Sequence, residues 1–147
     1  LVKHSNLGIY FFDGKAGKWV YAPTENNQRK QILKATIEHM DAVTVIQDLD
    51  SPQIIKTFPG NGGRYHIEDV NNILIEVSDS ISGIESEESS FNLSLNDNPV
   101  YPAYQPIKKQ ISFDFDQPLK EGQHKITFKV RDRMGNEASE TIYFSVY

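Results

Sequence analysis

Residues 119–147, LKEGQHKITFKVRDRMGNEASETIYFSVY, leave the chain little choice of fold. His124, Ile126, Phe128 and Val130 alternate with Lys125, Thr127, Lys129 and Arg131. A period of two puts the first set on one face of a strand and the second on the other. Ala138, Ile142, Phe144 and Val146 repeat the pattern against Thr141, Tyr143, Ser145 and Tyr147. Between the two runs lies Asp132-Arg133-Met134-Gly135-Asn136. Gly135 tolerates the positive φ of a tight reversal, and Asp132 and Asn136 can bond local backbone groups. The spacing predicts a closing β-hairpin with Phe128 and Phe144 buried beside Ile126 and Ile142. It names neither a reaction nor a ligand.

Earlier segments carry the same period. LGIYFFD, GKAGK and WVYAP read as a hairpin on a Gly/Lys turn. Leu33, Ala35 and Ile37 give a third strand, and 42–46 a fourth after a reversal near Met40-Asp41. A helix over 26–40 is the rival, disfavoured because the apolar positions step by two. Four strands in so short a stretch bury too little surface to stand alone. Residues 1–49 are therefore expected to be the C-terminal portion of a β-sandwich-like module. Asp48-Leu49-Asp50-Ser51-Pro52 is the expected boundary, stiffened by Pro52. Beyond it, 53–56, the Ile73/Ile75/Val77 run, the Phe91/Leu93/Leu95 run, the Ile111/Phe113/Phe115 run and the closing hairpin alternate with turn signals. About seven strands at such spacing predict an all-β sandwich over residues 50–147.

Composition narrows the function classes. The net charge is −5, which opposes binding to nucleic acid or anionic lipid. There is no cysteine, so disulfides and thiolate zinc sites are excluded. No apolar run approaches a membrane span, and no signal peptide is visible. Because the chain begins at Leu1, a fragment or a processed product is expected, with any export signal upstream.

Two stretches resemble known modules. VSDSISGIES, FNLSLNDNPV and LKEGQHKITFKVRDRMGNEAS resemble the immunoglobulin-like modules repeated in bacterial secreted and surface proteins. The matching residues are Asp79, Ser82, Gly83 and Ile84; Leu119, Gly122 and His124; and Asp132, Gly135 and Asn136. LGIYFFDGKAGKWVY and DAVTVIQD are similar to the end of another β-sandwich often placed before such modules, in arrays that in some cases accompany zinc endopeptidases of peptidoglycan. The catalytic part of such an enzyme is absent from this sequence. The resemblance implies an immunoglobulin-like β-sandwich preceded by part of a second β-module.

Candidate chemical residues are few. His4, His39, His66 and His124 form no H-x-H or H-E-x-x-H spacing. His124, on an inward phase, is expected to be a packed or capped histidine. Asp114 and Asp116 alternate with phenylalanines and read as a solvated face rather than a glycosidase pair. Asp48, Asp50, Asp79 and Asp132 all fall at strand ends, where hard oxygen donors from several loops can hold calcium. The linker spacing resembles that of cadherins without the full pattern, so turn capping is the ordinary reading and no bound ion is expected. Trp19, Tyr21, Tyr101 and Tyr104 are the candidates for stacking on sugar rings; core or interface packing is the commoner fate.

The expectation is a non-catalytic extracytoplasmic module, secreted, periplasmic or at the cell surface, with no catalytic residues and no cofactor unless calcium. It would space, orient or dock neighbouring domains of the same polypeptide. The alternative is an accessory module of a cell-wall peptidase that binds carbohydrate or peptidoglycan, with cell-wall glycan or another surface protein as partner.

Overall fold

The computed structural model describes residues 5–38 and 42–147. The expected reversal at Met40-Asp41, and both His4 and His39, lie outside the described residues. The strands run β1 (Leu7–Asp13), β2 (Lys18–Ala22), β3 (Thr24–Asn27), β4 (Ile32–Ala35), β5 (Val43–Gln47), β6 (Gln53–Phe58), β7 (Arg64–Tyr65), β8 (Asn72–Ser78), β9 (Phe91–Leu95), β10 (Asn98–Val100), β11 (Ala103–Gln105), β12 (Gln110–Asp114), β13 (Gly122–Arg131) and β14 (Glu137–Val146). The helical elements among the described residues are two 3-10 turns, Ile67–Asp69 and Glu88–Ser90.

Strands β6–β14 make an immunoglobulin-like sandwich. One sheet has the order β10-β9-β13-β14-β7 and the other β11-β12-β8-β6. Strands β6, β8, β12 and β11 correspond to the A-B-E-D sheet, and β9, β13 and β14 to C-F-G. The alternation read in the sequence fills the space between them. Ile73, Ile75 and Val77 of β8 meet Ile126, Phe128 and Val130 of β13 and Ile142, Phe144 and Val146 of β14 in one buried cluster. Phe128 is fully buried, as its phase predicts. The β13–β14 ladder is continuous from Gly122↔Val146 to Arg131↔Glu137. Gly135 closes it with φ +88°, the left-handed geometry the loop needs.

The sandwich holds more strands than the periodicity indicates. Strand β7 has two residues and β10 and β11 three each, too short to show a period. Strand β7 lies parallel to β14, a pairing no local signal encodes. Strand β6 is bulged between Ile54 and Lys56, and Ile55 there is exposed.

The N-terminal part forms a three-stranded sheet, β2-β1-β5, and a separate hairpin, β3-β4. The β1–β2 hairpin is as expected, with Phe12 opposite Trp19 and Tyr10 opposite Tyr21. The expected third strand is β4, and its region is not helical. Its partner β3, TENN, is wholly polar and gives no apolar alternation to read. Strand β5 pairs with β1 instead of following on β4.

Candidate functional site

Three loops converge where the N-terminal sheet meets the sandwich, and each is built around one aspartate. The first is the linker after β5. The Asp48 amide donates to the Asn6 carbonyl at 2.8 Å, and its Oδ1 accepts from the Asp50 amide at 3.1 Å. The second follows β8. Asp79 Oδ2 accepts from the amides of Ile81 (3.2 Å) and Gly83 (2.6 Å), folding Asp-x-x-Ser-Gly-Ile into a compact turn with Gly83 at φ +78°. The third is the closing hairpin loop. Asp132 Oδ1 accepts from the amides of Met134 and Asn136, both at 2.8 Å. All three carry out the turn capping expected of them.

The loops are also tied to one another. Asp48 Oδ2 accepts from the Ser82 amide at 3.0 Å, crossing from linker to second loop. The Arg133 amide donates to the Gly83 carbonyl at 3.0 Å, joining second loop to third. Asn136 Nδ2 donates to the Asp48 carbonyl (3.1 Å) and to Asp132 Oδ2 (2.8 Å), closing the circuit. Asn6 Nδ2 in turn donates to Asn136 Oδ1 at 2.8 Å. Side chains pack around this ring. The Arg133 guanidinium lies 5.5 Å from the Tyr21 ring centroid. The Met134 methyl and the Tyr10 and Tyr21 rings crowd Gly8, where an added Cβ would stand 2.7 Å from Tyr21.

One carboxylate oxygen from each of Asp48, Asp79 and Asp132 lies within 4.8 Å of the other two. Asp48 is 0 % exposed and Asp132 4 %. Among the described residues, none of the ion pairs to Lys or Arg involves these three groups. Burial pushes the Asp132 carboxyl above the ordinary aspartate range; Asn136 opposes this through two hydrogen bonds, and Asp48 and Asp79 add to it. The Tyr10 phenol is pushed well above its usual value, by burial first and by Asp48 next. Two buried hydroxyls here, Tyr10 OH and Ser82 Oγ, have no hydrogen-bond partner among the described residues.

Of the four acidic candidates, the fold assembles three. Asp50 is the exception: it is exposed, and it serves the site through its backbone amide. Sequence reading missed Asn6, Tyr10, Ser82 and Asn136 as members of the site, although Ser82 and Asn136 stand within the motifs that carry the family resemblance.

The aromatic candidates do not form one surface. Tyr21 is engaged at the junction with Tyr10 (ring centroids 5.5 Å apart) and Arg133. Tyr104 packs on Phe91 at 4.9 Å, against the sandwich core. Tyr101 is 82 % exposed beside a groove lined by Phe91, Leu93, Pro99 and Val100. Trp19, expected in a core or contact, is 42 % exposed and touches Phe12 edge-on. It sits near the turn end of the β1–β2 hairpin, directly opposite Phe12.

The described histidines have structural duties. His124 is buried and stacked on Phe144, with ring centroids 5.3 Å apart. The Asn96 Oδ1 accepts from the Lys125 amide, so Asn96 Nδ2 faces His124 Nδ1 at 2.9 Å. That assigns Nδ1 as acceptor and Nε2–H as donor to the Lys120 carbonyl at 2.7 Å. His66 caps a 3-10 turn through Nδ1, which accepts from the Glu68 amide at 3.4 Å. Asp114 and Asp116 are exposed, in keeping with a solvated face.

No family model and no curated protein matches the chain. Solved structures do. PcoC, a methionine-rich copper resistance protein from Escherichia coli, superposes with a TM-score of 0.52 at 14% identity, over 67% of this chain and 100% of that one. CopC from Methylosinus trichosporium OB3b superposes with a TM-score of 0.49 at 16% identity, over 65% of this chain and 92% of that one. At such identity the likeness to PcoC is one of fold: a β-sandwich.

Proposed function

We propose that this chain is a non-catalytic, extracytoplasmic bacterial β-module that holds two units, residues 1–49 and 50–147, at a fixed mutual angle. The observation that carries the reading is the burial of Asp48. A linker residue between two freely moving units would be solvated. Asp48 instead is wholly buried and bonded to Ser82 and Asn136 of the sandwich and to Asn6 of the N-terminal sheet. Pro52, also buried, removes a further rotatable φ from the connection. The extracytoplasmic placement rests on the immunoglobulin-like fold and on the resemblance of its loops to bacterial surface modules.

Copper, named for PcoC, finds little to bind among the described residues. The described imidazoles are committed to a cap and to the His124 network, and Met134 packs against Gly8. The chain has only two methionines, so soft donors are scarce. A sugar-binding reading lacks a shared aromatic platform.

The absence of cysteine makes the test clean, because two introduced thiols are the only labelling sites. Spin labels at Ala16→Cys and Lys108→Cys, both exposed, report the distance between the units by pulsed dipolar spectroscopy. One narrow distribution is expected, broadened by Asn136→Ala. A broad distribution in the parent chain would sink the proposal.

A further inference from the structure

We propose that Asp48, Asp79 and Asp132 form a binding site for a hard divalent cation, calcium, with the hydroxyls of Ser82 and Tyr10 as its neutral oxygen donors. This rests on the reading of the junction as the working part of the chain and deepens it by naming a ligand.

The geometry is that of a single coordination sphere. Oxygen atoms bound to calcium at about 2.3–2.6 Å can be no farther apart than about twice that distance. The three carboxylate oxygens satisfy this limit, all lying within 4.8 Å of one another. Buried carboxyl groups gathered this closely repel one another unless a proton or a cation sits between them. No Lys or Arg pairs with them among the described residues. Asn136 and the loop amides supply hydrogen bonds but no positive charge.

The hydroxyls point to the same ligand independently. Ser82 is 2 % exposed and Tyr10 1 %, and neither oxygen has a partner among the described residues. Buried hydroxyls are nearly always satisfied, and an exception calls for a missing partner. Ser82 belongs to the residue whose amide holds Asp48 Oδ2. The Tyr10 ring reaches Gly8 together with Met134 of the third loop, and its hydroxyl feels the charge of all three aspartates. Both unfilled oxygens therefore belong to the junction where the carboxylates gather. A cation there accepts their lone pairs directly or through a bound water. The donor set is entirely oxygen, which selects calcium or magnesium over copper or zinc. The carboxylates come from three separate loops and not from a rigid octahedral cage, which favours calcium over magnesium.

The test uses the full chain. Isothermal titration with calcium chloride is expected to show one site in the range of about 10⁻⁴–10⁻³ M, typical of extracellular modules. The melting temperature is expected to rise in calcium and return on adding chelator. Asp79→Asn keeps an acceptor for the Ile81 and Gly83 amides but loses the charge, and is expected to weaken binding about tenfold or more. Ser82→Ala, a smaller change to the loop, is expected to weaken it less and serves if Asp79→Asn does not fold. The absence of both heat and thermal shift in the parent chain overturns the inference, as does unchanged affinity in the variants. These outcomes separate from those of the labelling experiment. A narrow inter-unit distance in a chain that binds no calcium removes the cation and leaves the orienting role. A broad distance with calcium bound removes the orienting role and leaves the site.

Discussion

Asn136, in the last hairpin loop, donates its side-chain amide to the main-chain carbonyl of Asp48, 88 positions earlier, at 3.1 Å. The same amide group binds Asp132 Oδ2, and its carbonyl oxygen accepts from Asn6. One side chain thus ties the closing hairpin to the linker and to the first sheet. Asn136→Ala removes these bonds and leaves a buried carbonyl unpaired. The expected loss is about 2–3 kcal/mol in urea unfolding. A change within the scatter of surface substitutions would mean that the junction contributes nothing to stability.

Phe128 faces the centre of the sandwich, fully buried among Ile126, Val130 and the side chains of β8 and β14. Phe128→Ala is expected to cost about 3–5 kcal/mol, from lost transfer energy and the cavity left behind. Chemical denaturation with an unchanged m-value checks it. A loss below about 1 kcal/mol would contradict the central place given to the ring.

Gly135 has φ +88° and nothing within reach of an added Cβ, so space is not its constraint. The backbone conformation is. Gly135→Ala should cost about 1–2 kcal/mol through the left-handed geometry alone. Gly135→Asn, which tolerates that region better, should recover part of it. Equal stabilities for the alanine and asparagine variants would argue against this cause.

Glu137 opens β14 on the solvent side. Its carboxylate accepts from Arg131 Nε and Nη2 (3.1 and 2.6 Å) and from Lys129 Nζ (3.2 Å). Arg131 first and Lys129 second hold its pKa below the ordinary glutamate value. A depressed folded-state pKa gives stability that is present above the unfolded-state pKa and lost as pH falls through the folded value. Glu137→Gln should therefore be less stable than the parent at neutral pH, with the gap closing in acid. Because the site is exposed, the gap should also shrink with added salt. Melting curves across pH at two ionic strengths check both trends. A gap that persists at acid pH would assign the loss to hydrogen bonding instead of charge.

What the sequence determined by itself is local. Alternation fixed which faces of β8, β9, β12, β13 and β14 turn inward, because side chains on a strand repeat every two residues whatever the strand pairs with. It placed Phe128 and Phe144 in the core and His124 among them, and Gly135 at a reversal that only a left-handed residue closes. The aspartates at strand ends were legible as turn caps, since that bonding stays within four residues of the side chain. Tertiary structure decided which strand ends meet. The two-residue strand β7 lies parallel to β14, and polar β3 finds β4, through pairings that no periodicity records. Trp19 is 42 % exposed near the turn of the β1–β2 hairpin while Tyr21, on the same phase of the strand, packs at the junction, a difference that periodicity does not record. The site follows the same rule. Asp48, Asp79 and Asp132 occupy three separate turns; the sandwich fold brings the loops of Asp79 and Asp132 together, and the bonding of the linker to them adds Asp48, so that the three carboxylates lie within 4.8 Å. Spacing along a chain carries no record of that convergence, because it is set by long-range packing and not by local backbone geometry.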